Sequence, residues 1–172
     1  MRKKLRNRFQ PLTILEQRHL VDDVIPNRVE IIEQYFSETP PTFERLTTAA
    51  VYARALAGFL GIGANRTSLW AVDDYHDHGD DKSYEVKISD IKGRALFTQG
   101  ELDGLSDKDR EAICVGFNTT NCEFVHLTFW SDPPHQQPHG APIDKYIYDL
   151  ADRVSRFAQT VIRLLRERLK GL

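Results

Sequence analysis

Seven apolar residues late in the chain, Ile143, Ile147, Leu150, Val154, Phe157, Val161 and Leu164, recur at alternating steps of four and three. That rhythm holds all seven on one face of an α-helix, whereas a strand would scatter them over both faces of a sheet. The opposite side carries Arg153, Arg156, Arg163, Arg166, Arg168 and Lys170, which reads as a solvated charged face. A helix this long with so regular an apolar stripe gains its stability from packing, so other helices must cover it. The expected fold class is mainly α, a bundle of four to five helices.

The partners for that stripe are visible upstream. Residues 11–37 read as helix, with Val21, Ile25, Val29, Ile32 and Phe36 spaced by three and four. Pro26 lacks an N–H and biases Ile25 away from helical angles, which predicts two shorter helices or one kinked helix. Thr42 is placed to cap a further helix in which Phe43, Leu46, Ala50, Ala53, Ala57 and Leu60 share a stripe. Ala49, Ala50, Ala53, Ala55 and Ala57 would let another helix approach closely, and Gly61-Ile62-Gly63 ends the run. Ser106, followed by Asp107 and Asp109, opens a helix expected to reach about Phe129.

The segments between are less regular. Residues 64–81 suggest a short helical turn leading into a loop. The run Asp73, Asp74, His76, Asp77, His78, Asp80 and Asp81 is too charged for a core and matches no defined metal-ligand spacing. Tyr84, Val86 and Ile88 alternate with polar residues, so a small β-hairpin or an irregular insertion is expected near residues 83–98. Residues 131–142, rich in proline and containing His135 and His139, read as loop.

The length of 172 residues suits one domain. Residues 1–10 form a basic arm with Arg2, Lys3, Lys4, Arg6 and Arg8, and 11–172 are expected to form a single helical-bundle domain. The net charge of -2 gives no general attraction to nucleic acid or acidic surfaces. Cys114 and Cys122 would lie ~12 Å apart on one helix, beyond disulfide reach. Reduced thiols, with no apolar run long enough for a membrane span and no secretory leader pattern, imply a cytoplasmic protein. No phosphate-binding glycine loop, nucleophilic serine signature or metal-ligand spacing stands out, so no cofactor and no metal are expected.

On the 106–129 helix, Ala112, Val115, Thr119, Cys122, His126 and Phe129 share a face. Residue types there suit a core histidine with one ring nitrogen satisfied. Asn121 lies ~140° round the helix from His126, and the two converge across a subunit boundary, or where the helix starts late or bulges. Cys122, one turn before His126, also makes a thiol–imidazole pair geometrically available.

The run Asn121-Cys122-Glu123-Phe124-Val125-His126-Leu127-Thr128 resembles the second-motif helix of HEPN domains (higher eukaryotes and prokaryotes nucleotide-binding). Residues 50–60, AVYARALAGFL, are similar to a helix of small bacterial proteins built on such a bundle. The resemblance covers about twenty residues in motif terms and most of the chain in order of elements. It implies a helical bundle, a homodimer, and either a binding module or a metal-independent ribonuclease. In the catalytic members an arginine four to six residues before the histidine stabilises charge at the attacked phosphate, and the histidine does acid–base work. Here the histidine would be His126, with Asn121 standing where those members carry arginine. Arg54 and Arg110 are the candidates for the missing cation and for contact with nucleic acid. The leading expectation is a non-catalytic module that binds nucleic acid, a nucleotide or a protein partner. The alternative is a ribonuclease, toxin-like or defensive, using His126 and Asn121, and a third class is a metal module on residues 73–81.

Overall fold

The computed structural model describes residues 12–37, 42–72, 95–121 and 143–170, together with Ile88 and Ile91. Six helices and one short hairpin make up the described part: α1 (Ile14–His19), α2 (Ile25–Ser37), α3 (Phe43–Phe59), β1 (Ile62–Ala64), β2 (Leu69–Ala71), α4 (Gln99–Asp103), α5 (Asp107–Thr119) and α6 (Ile143–Leu169). The architecture is mainly helical, with α6 at its centre and α2, α3 and α5 laid against it.

The apolar stripe of α6 does what its spacing predicts. Leu150, Val154, Phe157, Val161 and Leu164 are all buried, joined by Ala158, Ile162 and Leu165. Leu150 and Val154 pack on Leu46, Ala49 and Ala50 of α3. Further along, Phe157, Val161 and Leu165 meet Ile32, Ala53, Leu56, Ala57, Ile113 and Phe117. The alanines of α3 at 49, 50, 53 and 57 have no exposed surface, so the absence of large side chains there lets α6 come close. Phe43, the first residue of the expected stripe, is instead 41% exposed.

The Arg-rich side of α6 is not a plain solvated face. Arg163 Nη2 lies 2.7 Å from Asp109 of α5, and Nη1 lies 3.0 Å from Glu167. Arg166 reaches Glu33 of α2 at 2.8 Å, and Arg168 reaches Glu101 of α4 at 2.7 Å. Pairs this exposed contribute ~0–1 kcal/mol each, so their larger effect is to fix which face of α6 meets which neighbour. Arg168 also lies over the ring of Phe97, 4.1 Å from its centroid. Its Nη2 approach to Glu101 is an ion pair without hydrogen-bond alignment, and Nε and Nη2 find no hydrogen-bond acceptor among the described residues.

Pro26 does not break the first helix. Residues 14–37 run on as one helix, with a π turn at Leu20–Val24 between α1 and α2. Ile25 keeps helical angles (φ -67°, ψ -51°) and donates its N–H to Leu20 O, five residues back. A proline ring in a regular α-helix collides with the carbonyl four residues earlier and leaves it unpaired. Widening the preceding turn to five-residue spacing relieves that crowding, so the irregularity expected at Pro26 takes the form of a π bulge between α1 and α2. Thr13 caps α1 reciprocally with Glu16, and Gln17 Nε2 donates to Leu12 O at 2.9 Å.

The expected helical turn near residue 64 is a β-hairpin instead. Gly61, at φ 77°, ends α3 in the left-handed conformation that glycine adopts freely. The chain then pairs Ile62 with Ala71, Gly63 with Trp70 and Ala64 with Leu69, antiparallel. Asn65 Oδ1 accepts from the N–H groups of Thr67 and Ser68, both at 2.9 Å, closing the tip. The free edge of β2 is covered by a side chain: Ala71 N–H donates to Gln99 Oε1 at 3.0 Å, and Gln99 Nε2 donates to Leu69 O at 3.4 Å. The amide of Gln99 thus takes the place of a third strand. Of the hairpin or insertion expected at 83–98, only Ile88, Ile91 and 95–98 are described; 95–98 belong to no regular element, and Phe97 N–H donates to Leu60 O at 3.1 Å.

Candidate functional site

α5 begins as its sequence predicts, with Ser106 accepting from Asp109 N–H at 3.2 Å. It buries Ala112, Ile113, Cys114, Gly116, Phe117 and Thr119. Regular α-helix ends at Thr119, and Thr120 and Asn121 form a π turn. Thr120 Oγ1 turns inward and donates to Gly116 O at 2.7 Å. Asn121 Oδ1 is buried with no hydrogen-bond partner among the described residues. His126 and Cys122 lie outside the described residues, as do the basic arm at 1–10, the acidic run at 73–81, and His135 and His139.

The two candidate cations are far apart along α5. The Arg54 guanidinium, on α3, sits 5.9 Å from the centroid of the Phe117 ring. Phe117 is one turn before Asn121, ~6 Å along the axis. Arg110 is eleven residues before Asn121, ~16 Å away, and it points elsewhere: its Nη1 donates to Asp103 O at 3.2 Å. Arg54 is therefore on the Asn121 end of the bundle and Arg110 is not.

Arg110 belongs to a small cleft of about 150 Å³ between the hairpin tip and α5, with Arg66, Thr67, Leu69, Glu111 and Cys114. Burial pushes the Cys114 thiol above its ordinary range, an effect that the nearby Arg110 charge only partly offsets. A neutral thiol in that position is a poor nucleophile. Arg110 is paired with Asp103, whose Oδ1 lies 3.8 Å from its Nη1, and Glu111 lines the same cleft as Arg66.

The larger concavity is a groove of about 630 Å³ between α2 and α6. Ile32 and Phe36 from α2 and Ala158 and Ile162 from α6 lie beneath it; Phe36 is partly exposed, and the other three are buried. Each pair is four residues apart, so the floor presents one helical turn from each wall. Its rim carries Glu33, Arg163, Arg166, Glu167 and Lys170. Arg166 is paired with Glu33 across the groove, and Arg163 with Glu167 and Asp109. None of these residues stands out in the sequence as a site. Ile32, Phe36 and Ile162 read as ordinary core positions, and only the separation of the two helices opens the space above them.

Among the described residues there is no group of three or more histidine, cysteine or acidic side chains able to hold a metal ion. No described helix is long and apolar enough to cross a membrane. The chain matches no family model, and no curated protein or solved structure is significantly similar to it.

Proposed function

We propose that this chain is a non-catalytic interaction module of HEPN-like layout whose binding surface is the groove between α2 and α6. The observation that carries this reading is a concavity between two helices whose rim cations are already paired. A site for phosphate presents unpaired cations, whereas Arg163 and Arg166 are held by carboxylates. Ile32, Ala158 and Ile162 are already buried, so a ligand there meets the partly exposed Phe36 and the charged rim, surfaces that suit a polypeptide segment of mixed polarity. The preferred ligand class is therefore a protein segment rather than nucleic acid or a nucleotide. A photoreactive residue at Ser37, on the groove wall, should cross-link to a polypeptide. Cross-links to RNA alone would overturn the reading.

A second reading, metal-independent RNA cleavage by His126 with Asn121, is favoured by Arg54, which supplies a cation near the Asn121 end of α5. RNA cleavage in EDTA that disappears in His126→Ala, with the fold retained, would establish this reading and displace the first.

A further inference from the structure

The small cleft between the hairpin tip and α5 holds opposite charges on its two walls without joining them. Arg66 and Thr67 stand on the tip, which Asn65 Oδ1 fixes by accepting from the N–H groups of Thr67 and Ser68. On the other wall α5 presents Arg110 and Cys114 in one row and Glu111 and Val115 in the next, each pair one turn apart. Arg66 and Glu111 are exposed; they do not pair with each other, and neither has another ion-pair partner among the described residues. Arg110 is balanced by Asp103, to whose backbone O its Nη1 donates, while its Nε and Nη2 make no hydrogen bond among the described residues.

The charges left over decide the ligand class. With Arg110 and Asp103 balanced, the cleft keeps one cation, Arg66, and one anion, Glu111. A phosphate group carries ~1.5–2 negative charges at neutral pH and would meet Glu111 at close range, a repulsion that selects against it. A simple carboxylate leaves Glu111 unmatched, and a simple amine leaves Arg66 unmatched. A molecule with one carboxylate and one ammonium matches both. The cleft volume of about 150 Å³ equals that of roughly five liquid waters, which limits the ligand to a few carbons. We propose that this cleft binds a small zwitterion, a free α-amino acid such as alanine, with its carboxylate on Arg66 and Arg110 and its ammonium on Glu111. Thr67 Oγ1 directs its proton at Asn65 Oδ1, 3.4 Å away, and keeps lone pairs for the ammonium. The site is separate from the groove between α2 and α6 and does not depend on it.

Amide NMR of the isotope-labelled chain, titrated with alanine, is the test. Signals of residues 66–69 and 110–115 should move along one saturable curve while those of the buried α6 residues stay in place. Propionate and ethylamine, which each carry one of the two charges, should bind at least about tenfold more weakly than alanine. Arg66→Gln and Glu111→Gln alter exposed side chains, so each should keep the native spectrum elsewhere and weaken alanine binding by a similar factor. Alanine that moves no signal in the cleft at the highest soluble concentration, or propionate that binds as well as alanine, overturns the assignment. Inorganic phosphate that binds more tightly than alanine, and tighter still in Glu111→Gln, also overturns it and shows a plain anion site instead.

Discussion

Gly116 of α5 faces Phe157 of α6 so closely that a Cβ on the glycine would overlap the phenylalanine's Cβ, Cγ and ring. Phe157 has no exposed surface, and its ring meets Phe117 edge-on at 5.6 Å between centroids and 65° between planes. The two central helices are thus held at a separation that only glycine permits.

Gly116→Ala should therefore cost stability although alanine is the better helix former. The gain in propensity is ~1 kcal/mol, while forcing a methyl into a packed core costs ~1–3 kcal/mol. Urea denaturation should show a lower midpoint with an unchanged slope. A midpoint at or above that of the parent would contradict this contact.

Gly61 is constrained for a different reason. Its φ of 77° is the left-handed region, and a Cβ there would come within 2.8 Å of Leu96 Cδ2. Gly61→Ala should lose ~1–2 kcal/mol from the backbone alone, with more from Leu96. Thermal unfolding by circular dichroism should register a drop of several degrees.

Gln99 should be worth more than an exposed glutamine usually is. Gln99→Ala leaves Ala71 N–H and Leu69 O without the partners they have in Gln99, a loss of ~1 kcal/mol or more. The sharper readout is hydrogen exchange: the Ala71 amide should exchange faster while the amides inside α6 keep their protection. Equal exchange in both proteins would show that β2 does not depend on this side chain.

Acid should loosen the α4 corner at a pH set by Glu101. The Thr98 backbone N–H, donated to Glu101 at 2.8 Å, is the main cause that holds this carboxyl below its ordinary value of 4.5; partial burial opposes it, and Arg168 adds to the lowering. A carboxyl with a depressed folded-state pKa contributes stability above its unfolded pKa. That contribution is lost as pH falls from about 4.5 through the lower folded value. In Glu101→Gln the dependence on pH across that window should flatten, measured as unfolding free energy against pH.

The sequence-level reading worked wherever one helix face is buried along its whole length. From Leu150 onward every described residue of the α6 stripe is in the core, and Thr42 and Ser106 cap the helices they precede. It failed where structure depends on two or three residues. Strands of three residues show no alternation, so Ile62–Ala64 and Leu69–Ala71 were hidden. α4 is only five residues long, yet its signal was present: Thr98 and Glu101 form a capping box with the spacing that such a box requires. Pro26 marked where the first helix is interrupted, but not that the interruption is a widened turn rather than a break. The groove could not be read at all, since Ile32 and Ile162 are as buried as their core neighbours and the concavity above them depends on the spacing of two helices distant in sequence. Of the candidate residues, Asn121 and Arg54 come to the same end of α5, while Arg110 does not join them.

The central helix is also the last of the described elements to leave the ribosome. α3 is complete about eighty residues before the first residue of α6 is made, and Ala50 must wait for Leu150 and Val154 to cover it. At ordinary rates of synthesis that interval lasts roughly 4–17 seconds. During it the alanine face of α3 and the apolar faces of α2 and α5 have no central partner. The growing chain is therefore most exposed to aggregation just before residues 143–169 emerge, and its folding in the cell should depend on chaperone cover at that stage more than the stability of the finished bundle would suggest.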